Sequence, residues 1–247
     1  MTALISLSVL SSAVSAHYLW VIVEPSKTGD DTAKMYFEHS AVPGDGHYLD
    51  HFTTGSQMWL QTPSLPKAQK LTLTEQKTEK HRWLETALDQ PTPRSVDMYG
   101  KFGVYFYNKK PVLLHYYGRF IDVDSVDEIN TLSQARHLNL DVSPEWKAGK
   151  MTLNVRWQGK AAADSEVRVF GPQKFRQTLK TDAEGQIQFE PPDAGRYLVR
   201  SSVEFQTPGT DDDGQDYKAI RHTCTLVLDL PEDSLDNAIN TPTQIQN

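Results

Sequence analysis

The chain has almost no cysteine, no surplus of positive charge and, past its first residues, no long apolar run. Its one cysteine, Cys224, excludes a disulfide framework within a single chain and the Cys-rich zinc and iron–sulfur sites. Lys and Arg number 25 against 32 Asp and Glu, a net charge of −7, so the basic footprint of a nucleic-acid binder is missing. No segment after residue 16 is apolar enough to cross a bilayer as a helix, so the mature chain is expected to have no transmembrane segment. Gly-x-Ser-x-Gly, Walker, dinucleotide-glycine and His-Glu-x-x-His patterns are absent, and nothing orders Ser and His into a triad. An enzyme is not indicated. What the 247 residues do contain is 10% aromatic side chains, enough apolar material for a core, and eight histidines.

Residues 1–16 carry no charged side chain and end in Val14-Ser15-Ala16, small residues of the kind a signal peptidase cleaves after. The basic n-region is missing, yet the stretch is too short to span a membrane and reads as a cleavable signal peptide. Localisation is therefore expected to be periplasmic or secreted. Cleavage after Ala16 leaves 247 − 16 = 231 residues and makes His17 the first. An N-terminal histidine offers its α-amine and its imidazole to one metal ion as a chelate. The amine titrates at about 7.7–8.0, against about 10.4 for lysine, so a metal displaces its proton at lower cost.

From His17 onward, extended patterns dominate and no long amphipathic helix is visible. Residues 17–24 are β-branched and aromatic and stop at Pro25; residues 33–39 alternate, placing Met35, Phe37 and His39 on one face. Pro43-Gly-Asp-Gly46 marks a turn. Further strands are predicted over 57–61, 69–75, 80–87, 98–107 and 111–121, with a Pro-containing loop over 88–97 and short helices or turns over 124–137 and 231–237. A second module is expected from Ser143, with strands near 151–157, 165–170, 177–181, 186–189, 196–203 and 222–229 separated by regular turns. The expectation is all-β: a signal peptide (1–16), an N-terminal β domain (17–142), a C-terminal transthyretin- or Ig-like sandwich (143–230) and a polar tail (231–247).

The segment from Glu38 to His51 holds His39, His47 and His51 with Glu38, Asp45 and Asp50. Neutral imidazole is the commonest side-chain ligand of late transition metals. His47 and His51, four apart, would share a face of one helical turn; alternatively the whole loop wraps an ion without a helix. His17, His39, His47 and His51 are the candidate ligands, and Ni, Co or Cu the candidate ions, among which imidazole does not choose. His115 reads as a half-buried strand histidine sharing a face with Leu113 and Tyr117. His222 and Cys224 share a strand face, where a buried free cysteine behaves as a small apolar residue. His81 and His137 sit in polar surroundings and carry no signal. Asp211-Asp-Asp-Gly-Gln-Asp216 lacks the glycine and glutamate of a calcium loop and reads as a solvated connection.

Ala16-His17-Tyr-Leu-Trp20 resembles the mature start of periplasmic proteins of the domain-of-unknown-function 4198 family, which includes components associated with cobalt and nickel uptake. Its members begin Ala-His-x-x-Trp and continue with a Gly-His-x-x-Pro-like element. Here the second element is Glu38-His39-Ser-Ala-Val-Pro43, with Glu for Gly and an additional residue before Pro. Thr181-Asp-Ala-Glu-Gly185 and Ala194-Gly195-Arg-Tyr197 are similar to the family's carboxypeptidase-regulatory, transthyretin-like module. The resemblance implies a periplasmic domain that handles a divalent transition metal, with His17 and His39 as functional positions and a membrane metal-uptake transporter as partner. The competing expectation is a non-catalytic envelope module that binds a protein or glycan, which exposure of Trp20, Trp59 and Trp83 would support. A carbohydrate-active copper enzyme ranks lowest, because chelation alone supplies neither a substrate surface nor a proton-transfer group.

Overall fold

In the computed structural model the described residues are 17–27, 29–135, 137–232 and 234; the expected signal segment and most of the expected tail lie outside them. In chain order the strands are β1 (Tyr18–Glu24), β2 (Asp31–Glu38), β3 (Gln57–Gln61), β4 (Gln69–Leu71), β5 (Thr74–Lys77), β6 (Arg82–Leu88), β7 (Arg94–Tyr107), β8 (Lys110–Asp122) and β9 (Leu140–Lys147). They continue as β10 (Lys150–Trp157), β11 (Lys160–Ala161), β12 (Glu166–Phe170), β13 (Arg176–Lys180), β14 (Gln186–Phe189), β15 (Gly195–Phe205), β16 (Gly209–Thr210), β17 (Asp216–Tyr217) and β18 (Ala219–Leu230). Among the described residues helix is confined to short turns: α1 (Asp50–Thr53), α2 (Val126–Ile129) followed by a 3-10 turn, and a second 3-10 turn over Pro172–Lys174. The chain is all-β and built of sandwich-like modules.

An eight-stranded sheet, ordered β13-β12-β15-β18-β8-β7-β3-β4, runs through both modules. The four-stranded sheet β1-β2-β6-β5 covers one of its faces, and a sheet centred on β10, flanked by β9 and β14, covers the other. Alternation along β8 makes this possible. Leu114, Tyr116 and Phe120 enter the first core with Leu19, Met35 and Phe37, while Tyr117 and Ile121 enter the second with Leu153, Val199 and Leu226. Each fully buried Leu, Val or Phe contributes about 1.5–3 kcal/mol, so both layers are held by their apolar faces. Parallel pairing of β8 with β18, from Val112↔Ala219 to Ile121↔Leu228, joins the modules, because the strands of the second module lie between these two in the sequence.

Close approach of β1 to this sheet requires Gly118. A Cβ there would stand 2.5 Å from Leu19 Cδ2 and 3.0 Å from Val21 Cγ2. The Thr225 hydroxyl donates to the Leu19 carbonyl from the neighbouring strand.

Two expectations are corrected. The predicted loop over 88–97 ends early, since β7 begins at Arg94. Arg94, Ser95 and Asp97 are polar yet buried, with Arg94 held by Asp31 and Asp122, so their pattern reads as solvent-facing although their partners are internal. Ser143, the expected start of the second module, lies inside β9, a strand not anticipated because it contains Pro144. β9 pairs with β10 alone, and an edge strand tolerates a residue without an N–H.

Candidate metal centre

β1 and β2 pair antiparallel with Tyr18 opposite Glu38, so His17 and His39 fall one step beyond the last rung, directly across from each other. Their ring centroids are 4.0 Å apart. Behind His17 lie Phe37 at 5.9 Å and, edge-on, Tyr48 at 5.1 Å. Phe37 is anchored in the core by Phe52 at 4.6 Å and Tyr116 at 4.9 Å, so the inner wall of the site is a fixed aromatic layer. His17 is half-buried, whereas His39 and His47 are exposed.

The glycines of the Pro43–Gly46 turn bring the loop back over the end of β2. A Cβ on Gly44 would stand 2.1 Å from the Glu38 carboxyl carbon, so the carboxylate occupies space that any other residue would fill. Gly46 has φ +67°, a left-handed conformation that glycine adopts without strain, and its N–H donates to Glu38 Oε1 at 3.4 Å. Glu38 Oε2 lies 3.8 Å from His17 Nε2, too long for a direct hydrogen bond but within ion-pair range. Arg82 secures the loop from β6: its backbone N–H donates to the Gly44 carbonyl at 3.1 Å, and its guanidinium pairs with Asp50 at 2.6 Å and Glu75 at 2.7 Å.

Burial, followed by the neighbouring His39, holds the His17 imidazole below its ordinary pKa; Asp45 opposes this and His47 adds to it. A lowered pKa keeps the ring neutral and its lone pair available further into acid. Burial pushes the Glu38 carboxyl up, against the Gly46 N–H, while Asp45 raises it further. Burial therefore disfavours the charged form of both groups, the protonated imidazole and the ionised carboxylate. Among the described residues, however, no group of three or more His, Cys, Asp or Glu side chains stands ready to hold a metal ion. Two imidazoles lie together, His17 and His39.

His47 and His51 do not share a helical face, because α1 begins at Asp50 and His47 lies in the turn before it. Tyr48 stands among the candidates, 4.5 Å from His47 and 6.4 Å from His51. His51 lies flat on Phe102 at 3.9 Å. The structure thus brings His17 and His39 into contact, leaves His47 within electrostatic reach, and sets His51 apart.

Of the remaining histidines, His81 lies within electrostatic reach of Glu38, and the other three form two further groupings. His115 and His222, opposite each other on the parallel β8–β18 pair, stack at 4.8 Å and take hydrogen bonds with the Tyr99 and Tyr117 hydroxyls at 2.9 and 3.0 Å. His222 and Cys224 share a buried face as expected. His137 stands with Nε2 3.2 Å from Asp97 Oδ2 and its ring against Trp59 at 4.5 Å, an arrangement that its polar sequence surroundings did not signal. Asp97 is 40 positions away on β7, and no periodicity spans that distance.

Of the three tryptophans that an aromatic docking surface would need, Trp20 is buried, 2% exposed, and donates to the Glu38 carbonyl. Trp59 and Trp83 are half-buried. No helix among the described residues is long and apolar enough to cross a membrane.

No family model matches the chain, and no curated protein matches it. Solved structures with similarity include a pullulanase from Anoxybacillus sp. LM18-11 complexed with maltotriose, at TM-score 0.21 and 12% identity over 83% of this chain. Another is pullulanase type I from Bacillus subtilis str. 168 complexed with maltose, at TM-score 0.20 and 13% identity over 83% of this chain. The chain spans 28% and 27% of those two proteins. The FN1–FN3 domains of chicken CNTN1 match at TM-score 0.21 and 8% identity, over 88% of this chain and 66% of that one. Similarity this weak says nothing of activity, and the all-β architecture stands on the strands themselves.

Proposed function

We propose that the chain binds a divalent transition metal ion, Ni, Co or Cu, through His17 and His39, and serves metal uptake or buffering as a periplasmic or secreted protein. The observation that carries this reading is the contact of the two imidazoles across the end of the β1–β2 pair, at 4.0 Å. Removal of residues 1–16 would place an α-amine on His17 itself, adding a nitrogen donor beside two imidazole rings whose centroids stand 4.0 Å apart. That donor is not a side chain, so the absence of a three-side-chain cluster is what this arrangement would give. Glu38 and His47 stand close enough to complete or neutralise the site, with His51 an outer donor on the same loop. Nitrogen donors suit all three ions, with Cu favoured by the general affinity order. A membrane metal-uptake transporter is the partner such a carrier would serve.

Calorimetric titration with Ni, Co and Cu of a chain beginning at His17 tests the reading, against the same chain with an acetylated amine and against His17→Ala. Tight binding by the free-amine form alone is the expected result. Equal affinity in all three samples would remove His17 and its amine from the site.

A further inference from the structure

A second concavity lies on the same face of the large sheet as the β1–β2 layer, where β1 ends and β12, β15 and β18 continue uncovered. It has a volume of about 450 Å³ and is lined by Tyr18, Tyr107, Tyr116, Arg168, Arg200 and Arg221, among others. The alternation of the strands explains the composition. Arg168 faces Arg200 across β12–β15, Ser202 faces Thr223 across β15–β18, and Tyr116 faces Thr223 across β8–β18, so all these side chains leave one face. In a chain of net charge −7, three guanidinium groups converge there.

Two of the three are neutralised. Arg168 Nε pairs with Glu166 at 2.6 Å, and Arg221 pairs with Glu204 at 2.6 Å while its guanidinium lies 4.8 Å from the centre of the Tyr107 ring. Arg200 is different. It is half-buried between aromatic rings, 4.3 Å from the Tyr18 centroid and 5.3 Å from that of Phe170, and among the described residues no carboxylate lies within ion-pair distance of it. Desolvation opposes its charge and Arg168 adds repulsion, while Tyr18 and the Glu166 carboxylate, which also lines the cleft, favour it; among the described residues Arg200 is a cation without an ion-pair partner at contact distance. The two rings hold the guanidinium by its carbon centre, and its fork of N–H donors matches a planar or tetrahedral oxyanion. Around it, burial raises the Tyr107 and Tyr116 hydroxyls above their ordinary pKa; the two are hydrogen-bonded to each other, so one proton of the pair is left to donate. The Ser202 and Thr223 hydroxyls, 2.9 Å apart, complete a polar floor.

We infer that this cleft binds a small oxyanion-bearing ligand, a carboxylate or phosphate group seated on the Arg200 guanidinium edge with hydroxyl donors from the cleft. The site is independent of the metal reading, because Arg200 and the histidines sit on different strands and either could fail alone. A sugar acid supplies the carboxylate from one source; a free or ester phosphate supplies the tetrahedral group from another.

The test is calorimetric titration of the full chain with D-glucuronate and, separately, with inorganic phosphate, at low salt and with no metal present. Wild type is expected to bind at least one probe, and Arg200→Gln to weaken that binding at least tenfold with an unchanged melting temperature. Arg200→Lys, which keeps the charge but not the fork, is expected to lose most of the affinity as well. Binding of glucuronate alone assigns the ligand to sugar acids; binding of phosphate alone assigns it to phosphates. Binding of neither probe, or equal binding by wild type and Arg200→Gln, overturns the inference. Should Arg200→Gln unfold, Tyr107→Phe provides the second reading, with an expected loss of affinity and no loss of structure.

Discussion

Arg119 and Asp97 face each other across the β7–β8 pair with Nε 2.9 Å from Oδ1, and neither side chain reaches solvent. The same guanidinium donates to Asp141 at 2.9 Å and to the carbonyls of Leu132 and Ser133. One cation thus ties β7, β8, β9 and the turn after α2 together at the level of the second core. Burial acts to raise the Asp97 carboxyl, but coulombic attraction from Arg119 and the contact with His137 overcome it and hold the carboxyl below its ordinary pKa.

Replacing Arg119 with Met leaves two buried carboxylates uncompensated. Loss of one partner from such a pair costs about 3–5 kcal/mol, so Arg119→Met is expected to lower stability by that order in urea denaturation. A loss under about 1 kcal/mol would mean that water or relaxation compensates the charges.

Acid should destabilise the fold through His222. Burial, with His115 beside it, lowers its pKa from 6.5 to about 3, and His115 is lowered too, chiefly by burial. Between those values the unfolded chain binds protons that the folded chain does not, so stability falls as pH drops from about 6.5 toward 3 and is fully present above 6.5. Each pH unit in that window costs about 1.4 kcal/mol per group fully protonated only when unfolded. His222→Gln is expected to flatten the dependence of the denaturation midpoint on pH; an unchanged slope would assign it to other groups.

Gly118 should tolerate no side chain. With Leu19 Cδ2 at 2.5 Å from the position of a Cβ, Gly118→Ala has to move β1 or distort its rotamers. Overpacking of this kind costs about 1–3 kcal/mol, measurable as a lowered melting temperature. A melting temperature equal to wild type would show that β1 shifts freely.

Within the metal reading, the two ends of the histidine loop should differ. His39→Ala removes an imidazole in contact with His17 and is expected to weaken Ni, Co or Cu binding by about an order of magnitude or more. His51, stacked on Phe102, is expected to matter far less. A larger loss from His51→Ala than from His39→Ala would show that the loop rearranges around the ion. Binding in either case should weaken in acid, as imidazole and amine take up protons.

Legibility in the sequence followed the range of each interaction. Strands 17–24, 33–39 and 151–157 were readable because alternation over a few residues is local, and one buried face imposes it. β9 and the start of β7 were not, because Pro144 and the run Arg94–Asp97 imitate solvent-facing loop until their partners are known. The density of histidines after Glu38 is a matter of composition and is legible, but the spacing of His47 and His51 suggested a shared helical face that α1 does not provide.

The sequence by itself determined that the protein is β-rich, poor in cysteine, acidic, and concentrated in histidine near one strand end, since each is a matter of composition or short period. Tertiary structure alone decided which of those residues meet. His17 reaches His39 through the antiparallel register of β1 and β2, and His115 reaches His222 through a parallel pairing that spans the whole second module. Arg200 stands opposite Arg168 on one flank and Thr225 on the other by the same kind of register. Hydrogen-bond register and sheet order bring distant residues together, and neither has a period that a linear chain displays.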